Sequence, residues 1–88
     1  MSEAKYQVSL LPAAARQLRK LDRPAAARIA AALGLLAVDP YPPGAKHLTA
    51  RAGVLRVRTG DYRILYKVED DRLVVLVVAL GHRREIYR

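Results

Sequence analysis

The run LVVLVVAL, Leu73 to Leu80, is apolar at every position. A strand with one face in solvent alternates apolar and polar residues, so an unbroken run of this length reads as a central strand covered on both faces. The residues just before it supply neighbours. VLRVR (Val54 to Arg58) and YRILYKV (Tyr62 to Val68) carry strand-like patterns, and TGD and EDD, good turn chemistry, join them to each other and to the apolar run. Connections this short predict an antiparallel meander.

Upstream of Gly53 the period is helical. KYQVSLL (Lys5 to Leu11) reads as a first strand, and Pro12 then opens an Ala-rich segment in which Leu11, Ala14, Leu18 and Leu21 share one face. Asp22 is placed to cap a second helix with Pro24 in its first turn, and Ile29, Leu33 and Leu36 form its apolar stripe out to Val38. Asp39 to Gly53 reads as a long irregular connection. These elements predict an α+β domain spanning residues 1–88, with two N-terminal helices packed on one face of a mainly antiparallel four-stranded sheet.

At 88 residues without a cysteine, the domain relies on its core alone. The N-terminal MSEAKYQVSLLP has neither a basic start nor a long apolar stretch, and no apolar run approaches the ~18 residues of a membrane span, so the expected location is the cytoplasm. The formal net charge of +8 favours polyanionic partners, nucleic acid first. The basic residues are dispersed along the chain, so a binding site has to be assembled by folding. Two His, three Glu and five Asp, scattered, offer no metal-ligand spacing, and there is no glycine-rich phosphate loop or nucleophile elbow. No cofactor is expected.

Strand alternation gives the assembly. Arg56 and Arg58 share a face of the first meander strand, and Arg63 and Lys67 share one of the second, while Tyr62, Ile64, Tyr66 and Val68 take the opposite side. One side of the sheet is thus apolar and the other cationic. The closing GHRREIYR adds His82, Arg83, Arg84 and Tyr87 at the end of the apolar strand. Guanidiniums bind phosphate oxygens in bidentate fashion and keep their charge, which suits phosphodiester recognition.

The basic strand, the GDYR turn of Gly60 to Arg63, the apolar strand and the closing HRREIY together resemble the C-terminal half of RelE toxins in the RelE/ParE superfamily, and KYQVSLLPAAARQLRKL and GAKHL extend the likeness over nearly the whole chain. The resemblance implies a toxin of a type II toxin–antitoxin system that enters the A site of the 70S ribosome and cuts messenger RNA, held in check by a cognate antitoxin. By position it implies Arg56, Arg58, Arg63, Arg83 and Tyr87 as site residues. The implied chemistry is attack of a ribose 2′-hydroxyl on the adjacent phosphorus, which needs a base, cations and an acid. Familiar members have lysines where this chain has Arg56 and Arg58, and a guanidinium has no lone pair to act as base. Tyr87 is therefore the expected base, with His82 as the alternative. Arg63 is expected to hold the scissile phosphate, Arg83 to neutralise the transition state or protonate the leaving group, and Arg56, Arg58, Lys67 and Arg84 to contact the RNA backbone. On a strand, Arg84 should point away from Arg83. An acidic amphipathic antitoxin segment would cover the outer sheet face. Two rival readings are a ParE-like inhibitor of DNA gyrase and a basic binding module without activity.

Overall fold

The computed structural model describes residues 4–84. Strand β1 (Gln7–Leu10) leads into helix α1 (Pro12–Arg19), whose first turn loses nothing to Pro12, because the N–H that proline lacks would have had no intrahelical partner. Ala14 is fully buried, with Leu18 and Leu21 packed beside it, whereas Leu11 lies mostly outside the core. Helix α2 (Arg23–Val38) starts where Asp22 Oδ1 accepts a hydrogen bond of 2.9 Å from the Ala25 N–H, the cap expected from the sequence. Its buried stripe is Ala25, Ile29, Leu33, Leu36 and Ala37. Spacings of three and four keep these residues on one face, against the sheet.

Four further strands follow: β2 (Lys46–His47), β3 (Leu55–Thr59), β4 (Tyr62–Glu69) and β5 (Val74–His82). The sheet order is β1-β5-β4-β3-β2, with β3, β4 and β5 forming the expected antiparallel meander. β1 lies parallel to β5, in register from Gln7 opposite Val74 to Leu10 opposite Val77. The sheet has five strands rather than four. The additional strand, β2, lies within the stretch expected to be irregular and pairs antiparallel with β3. Two residues are too few to show a period.

The helices and sheet enclose one core in which Ile29, Ile64, Tyr66, Val75, Val77 and Leu80 are fully buried. Each such side chain contributes about 1.5–3 kcal/mol of transfer free energy. The Tyr66 hydroxyl donates to the Pro40 carbonyl at 2.8 Å. This satisfies its polar end and ties the chain leaving α2 to the centre of the sheet.

A β-bulge in β5 sets the direction of the side chains beyond it. Leu65 pairs with Ala79 and Tyr66 with Val77, leaving Val78 as the extra residue. Val75 and Val77 face the helices before the bulge, and Leu80 and His82 face them after it. Just past the bulge β1 has already turned into α1, so the Leu80 N–H donates instead to Gln17 Oε1 at 2.9 Å.

Candidate nucleic-acid interface

Residues directly opposite in a ladder project to the same face. Leu55 and Val57 of β3, and Tyr62, Ile64, Tyr66 and Val68 of β4, pack toward the helices. Arg56, Arg58, Arg63, Leu65 and Lys67 therefore take the outer face. The register makes the cluster specific: Arg58 is opposite Arg63, and Arg56 is opposite Leu65. Lys46 of β2 is opposite Arg56 and joins the same face. The sequence reading missed Lys46 because it placed that residue in a loop, although GAKHL was already part of the resemblance.

Arg56 and Arg63 are half-buried, while Arg58, Lys46 and Lys67 are exposed. Leu65, flanked by Arg56 and Ala79, is only 2% exposed, so the face is packed at its centre. Arg56 Nε is buried and has no hydrogen-bond partner among the described residues. An unsatisfied buried donor costs about 1–3 kcal/mol, a cost that an anionic ligand would remove. Where β2 ends, a groove of about 400 Å3 reaches Lys46, Arg56 and Arg58 from the side of α2, between Leu35 and Pro42. Leu35 is 72% exposed, and the groove is apolar with a cationic rim.

The closing segment divides. The Arg83 N–H donates to the Asp61 carbonyl at 2.9 Å, adding one rung to the ladder beyond Tyr62 and His82. Arg83 and Arg84 are exposed and sit in a turn past the end of β5, so the strand geometry expected for Arg84 does not apply. Tyr87 lies outside the described residues.

The structure does not bring His82 to the arginines. It stands opposite Tyr62 on the helix side, with ring centroids 5.7 Å apart in an edge-to-face arrangement. Its Nδ1 accepts a hydrogen bond of 3.2 Å from the Arg84 N–H, so the neutral ring carries its proton on Nε2.

A second polar cluster lies at the far end of the sheet, at the β4–β5 turn. Tyr6 and Tyr41 both donate to the Asp70 carboxylate, at 2.6 and 2.5 Å. These two hydrogen bonds hold the Asp70 carboxyl below the usual carboxylate range. The same bonds push the Tyr41 phenol up to about 12 and raise Tyr6. Among the described residues no three His, Asp or Glu side chains gather to hold a metal ion. No described helix is long and apolar enough to cross a membrane.

Comparison with known proteins places this geometry. The family model described as the ParE toxin of the parDE type II toxin–antitoxin system matches residues 8–87. Toxin RelG of Mycobacterium tuberculosis is 36% identical over 84 residues, covering 94% of this chain and 97% of that protein. A putative RelE-like toxin protein of Escherichia coli is 30% identical, covering 90% and 84%. The RelBE2 toxin–antitoxin complex from M. tuberculosis contains a chain that superposes with a TM-score of 0.79 at 32% identity, covering 90% of this chain and 99% of that one. The isolated E. coli RelE toxin, at 24% identity and a TM-score of 0.76, shares the fold. With a family model spanning almost all of its length and toxins as its relatives, the chain belongs to the RelE/ParE superfamily of toxins from type II toxin–antitoxin systems.

Proposed function

We propose that this toxin is a ribosome-dependent endoribonuclease that cuts messenger RNA in the A site and so arrests translation. The observation that carries the reading is the convergence of Arg56, Arg58 and Arg63 on one sheet face, with Arg56 Nε buried and lacking a partner among the described residues. Such a face suits a phosphodiester whose charge grows as the 2′-oxygen attacks phosphorus. The 2′-O–P bond forms, the P–O5′ bond breaks, and the products are a 2′,3′-cyclic phosphate and a 5′-hydroxyl.

In this scheme Arg63 holds the scissile phosphate, and Arg56, Arg58 and Lys67 grip the backbone. Arg83, exposed at the end of the ladder, neutralises the pentacovalent phosphorane, and Arg84 adds an outer contact. Tyr87 takes the 2′-hydroxyl proton. His82 does not, because its ring faces the helices. Lys46 brings an ammonium to the cluster, a compact donor able to release a proton to the departing 5′-oxygen.

The domain offers few exposed aromatics for stacking on single-stranded RNA, so the ribosome supplies most of the recognition and naked RNA is cut slowly. That substrate places the activity in the cytoplasm. Solved relatives include RelE in complex with the antitoxin RelB. A cognate antitoxin of this chain carries an acidic amphipathic segment. Its charges meet Arg56 and Arg58, and its apolar side meets the groove beside Leu35 and the outward residues Leu76 and Ala79.

Primer extension on a defined message bound to 70S ribosomes tests the reading, beside naked RNA and a gyrase supercoiling assay. Cuts confined to the A-site codon on ribosomes support it. Inhibited supercoiling without cuts would transfer the protein to gyrase inhibition, the activity of ParE-like toxins.

A further inference from the structure

Arg83 is assigned above to the charge growing on phosphorus, yet its side chain is long and exposed, and on a loose backbone a guanidinium would spread over many positions. Two hydrogen bonds hold the backbone around it. The Arg83 N–H donates to the Asp61 carbonyl at 2.9 Å, and the next N–H, that of Arg84, donates to His82 Nδ1 at 3.2 Å. The first bond extends the ladder by one rung, so alternation from Gly81, the ladder partner of Arg63, returns Arg83 to the arginine face. The second closes the turn immediately after it.

That second bond has the spacing of a turn in which an Asn or Asp side chain accepts from the N–H two residues on. Here an imidazole is the acceptor, and it can accept only while the lone pair is on Nδ1. The ring itself is held on the helix side of the sheet. It meets Tyr62 edge-to-face, with ring centroids 5.7 Å apart and planes at 79°, beside Gln17, Lys20 and Leu21. A side chain locked on one face of the sheet thus sets, through the backbone, the residue that serves the other.

We propose that His82 is a positioning residue for Arg83: from the helix side, its Nδ1 closes the turn that keeps the Arg83 guanidinium at the scissile phosphate. The inference rests on the nuclease reading above. The Arg84 N–H is exposed and water can replace His82 as its partner, so the bond adds little stability and its consequence is geometric. Arg83 acts on charge that exists only in the transition state. Loosening it should therefore lower the maximal rate and leave ground-state binding to Arg56, Arg58 and Lys67.

The test is single-turnover cleavage of a message on 70S ribosomes by three full-length chains. Beside the parent stand His82→Phe, which keeps an aromatic ring next to Tyr62 without the acceptor, and His82→Asn, which keeps an acceptor at the two-residue spacing without the ring. His82→Phe should lower the maximal rate about three- to tenfold, with the half-saturating toxin concentration and the urea midpoint at their parental values. His82→Asn should stay within about twofold of the parental rate. A parental rate in His82→Phe overturns the proposal, as does an equal loss in both variants, which would make ring packing the cause. A raised half-saturating concentration in His82→Phe would make His82 an RNA contact and overturns it too. Should His82→Phe fail to fold, the rate of His82→Asn decides alone, a parental value supporting the proposal and a slow one overturning it. Ring-nitrogen magnetic resonance on the parent gives a reading independent of the variants: the neutral His82 ring should carry its proton on Nε2, and a proton on Nδ1 overturns the proposal. No cleavage by the parent chain would overturn the nuclease reading itself, and this inference with it.

Discussion

Arg58 and Arg63 stand directly opposite each other across β3 and β4, two guanidiniums on one face of one rung. Like charges in this position destabilise a sheet, so the pairing works against the fold that carries it. Arg58→Thr replaces one of them with a good strand former. Urea denaturation should show a gain of about 0.2–1 kcal/mol, the range for cross-strand pairs. Binding of single-stranded RNA should weaken, and its log–log salt dependence should become shallower by about 0.7 for the lost phosphate contact. A variant both less stable and unchanged in its salt slope would show that Arg58 is part of the framework instead.

The turn between those strands depends on Gly60. It has φ of +62°, and a β-carbon there would lie 2.6 Å from Arg28 Nη1. The Arg28 contact is with the far end of a flexible side chain and can be relieved by rotation, whereas the left-handed backbone cannot. Gly60→Ala should therefore cost about 1–2 kcal/mol from the backbone alone. Arg28→Ala in the same chain should recover little of it. Gly60→Asn, whose side chain tolerates this conformation, should be milder. Full recovery in the double variant would identify the contact as the cause.

The helices, the Asp22 cap and the meander were legible because each rests on local chemistry repeated over several residues. The arginine face was legible for the same reason, since period-two alternation in β3 and β4 is uninterrupted where Arg56, Arg58 and Arg63 lie. The face of His82 was not. Strict alternation from Val75 through LVVLVVAL would send His82 outward to the arginines, and the residue inserted at Val78 reverses it. A run that is apolar at every position gives no sign of an inserted residue. The expected placement of Arg84 failed for a related reason: β5 stops at His82, and a turn follows. β2, and with it Lys46, is visible only through its pairing with β3. The parallel contact of β1 with β5 likewise joins segments more than 60 residues apart, beyond any local pattern.

Gln17 closes the strand edge that β1 leaves open. Gln17→Leu keeps the size and helix propensity of the residue but strands the Leu80 N–H, which should cost about 1–3 kcal/mol in urea denaturation. Gln17→Glu keeps an acceptor at that position and should stay closer to the parent. Exchange of the Leu80 amide with deuterium should accelerate in the leucine variant and little in the glutamate variant. Equal exchange in both would mean that another group satisfies Leu80.

The cluster at Asp70 makes stability depend on pH from both sides. Its carboxyl is held below the ordinary 3.8, first by the Tyr41 bond and then by the Tyr6 bond. A depressed folded value means that the contribution is complete above the unfolded value and lost as pH falls through the folded one. Tyr41 is raised from 10.0 to about 12 chiefly by the same bond, and Tyr6 is raised too. For a phenol raised in the folded state, the contribution is complete below 10.0 and lost as pH climbs through the folded value. Urea midpoints should thus hold level through neutral pH and fall at both extremes. Tyr66 is also raised to about 12, but the leading cause is burial rather than Asp70. Asp70→Asn should accordingly return Tyr6 and Tyr41 toward 10.0 in an ultraviolet titration of the phenolates while Tyr66 continues to titrate near 12. If all three keep their alkaline positions in that variant, the carboxylate is not what holds the Tyr6 and Tyr41 protons in place.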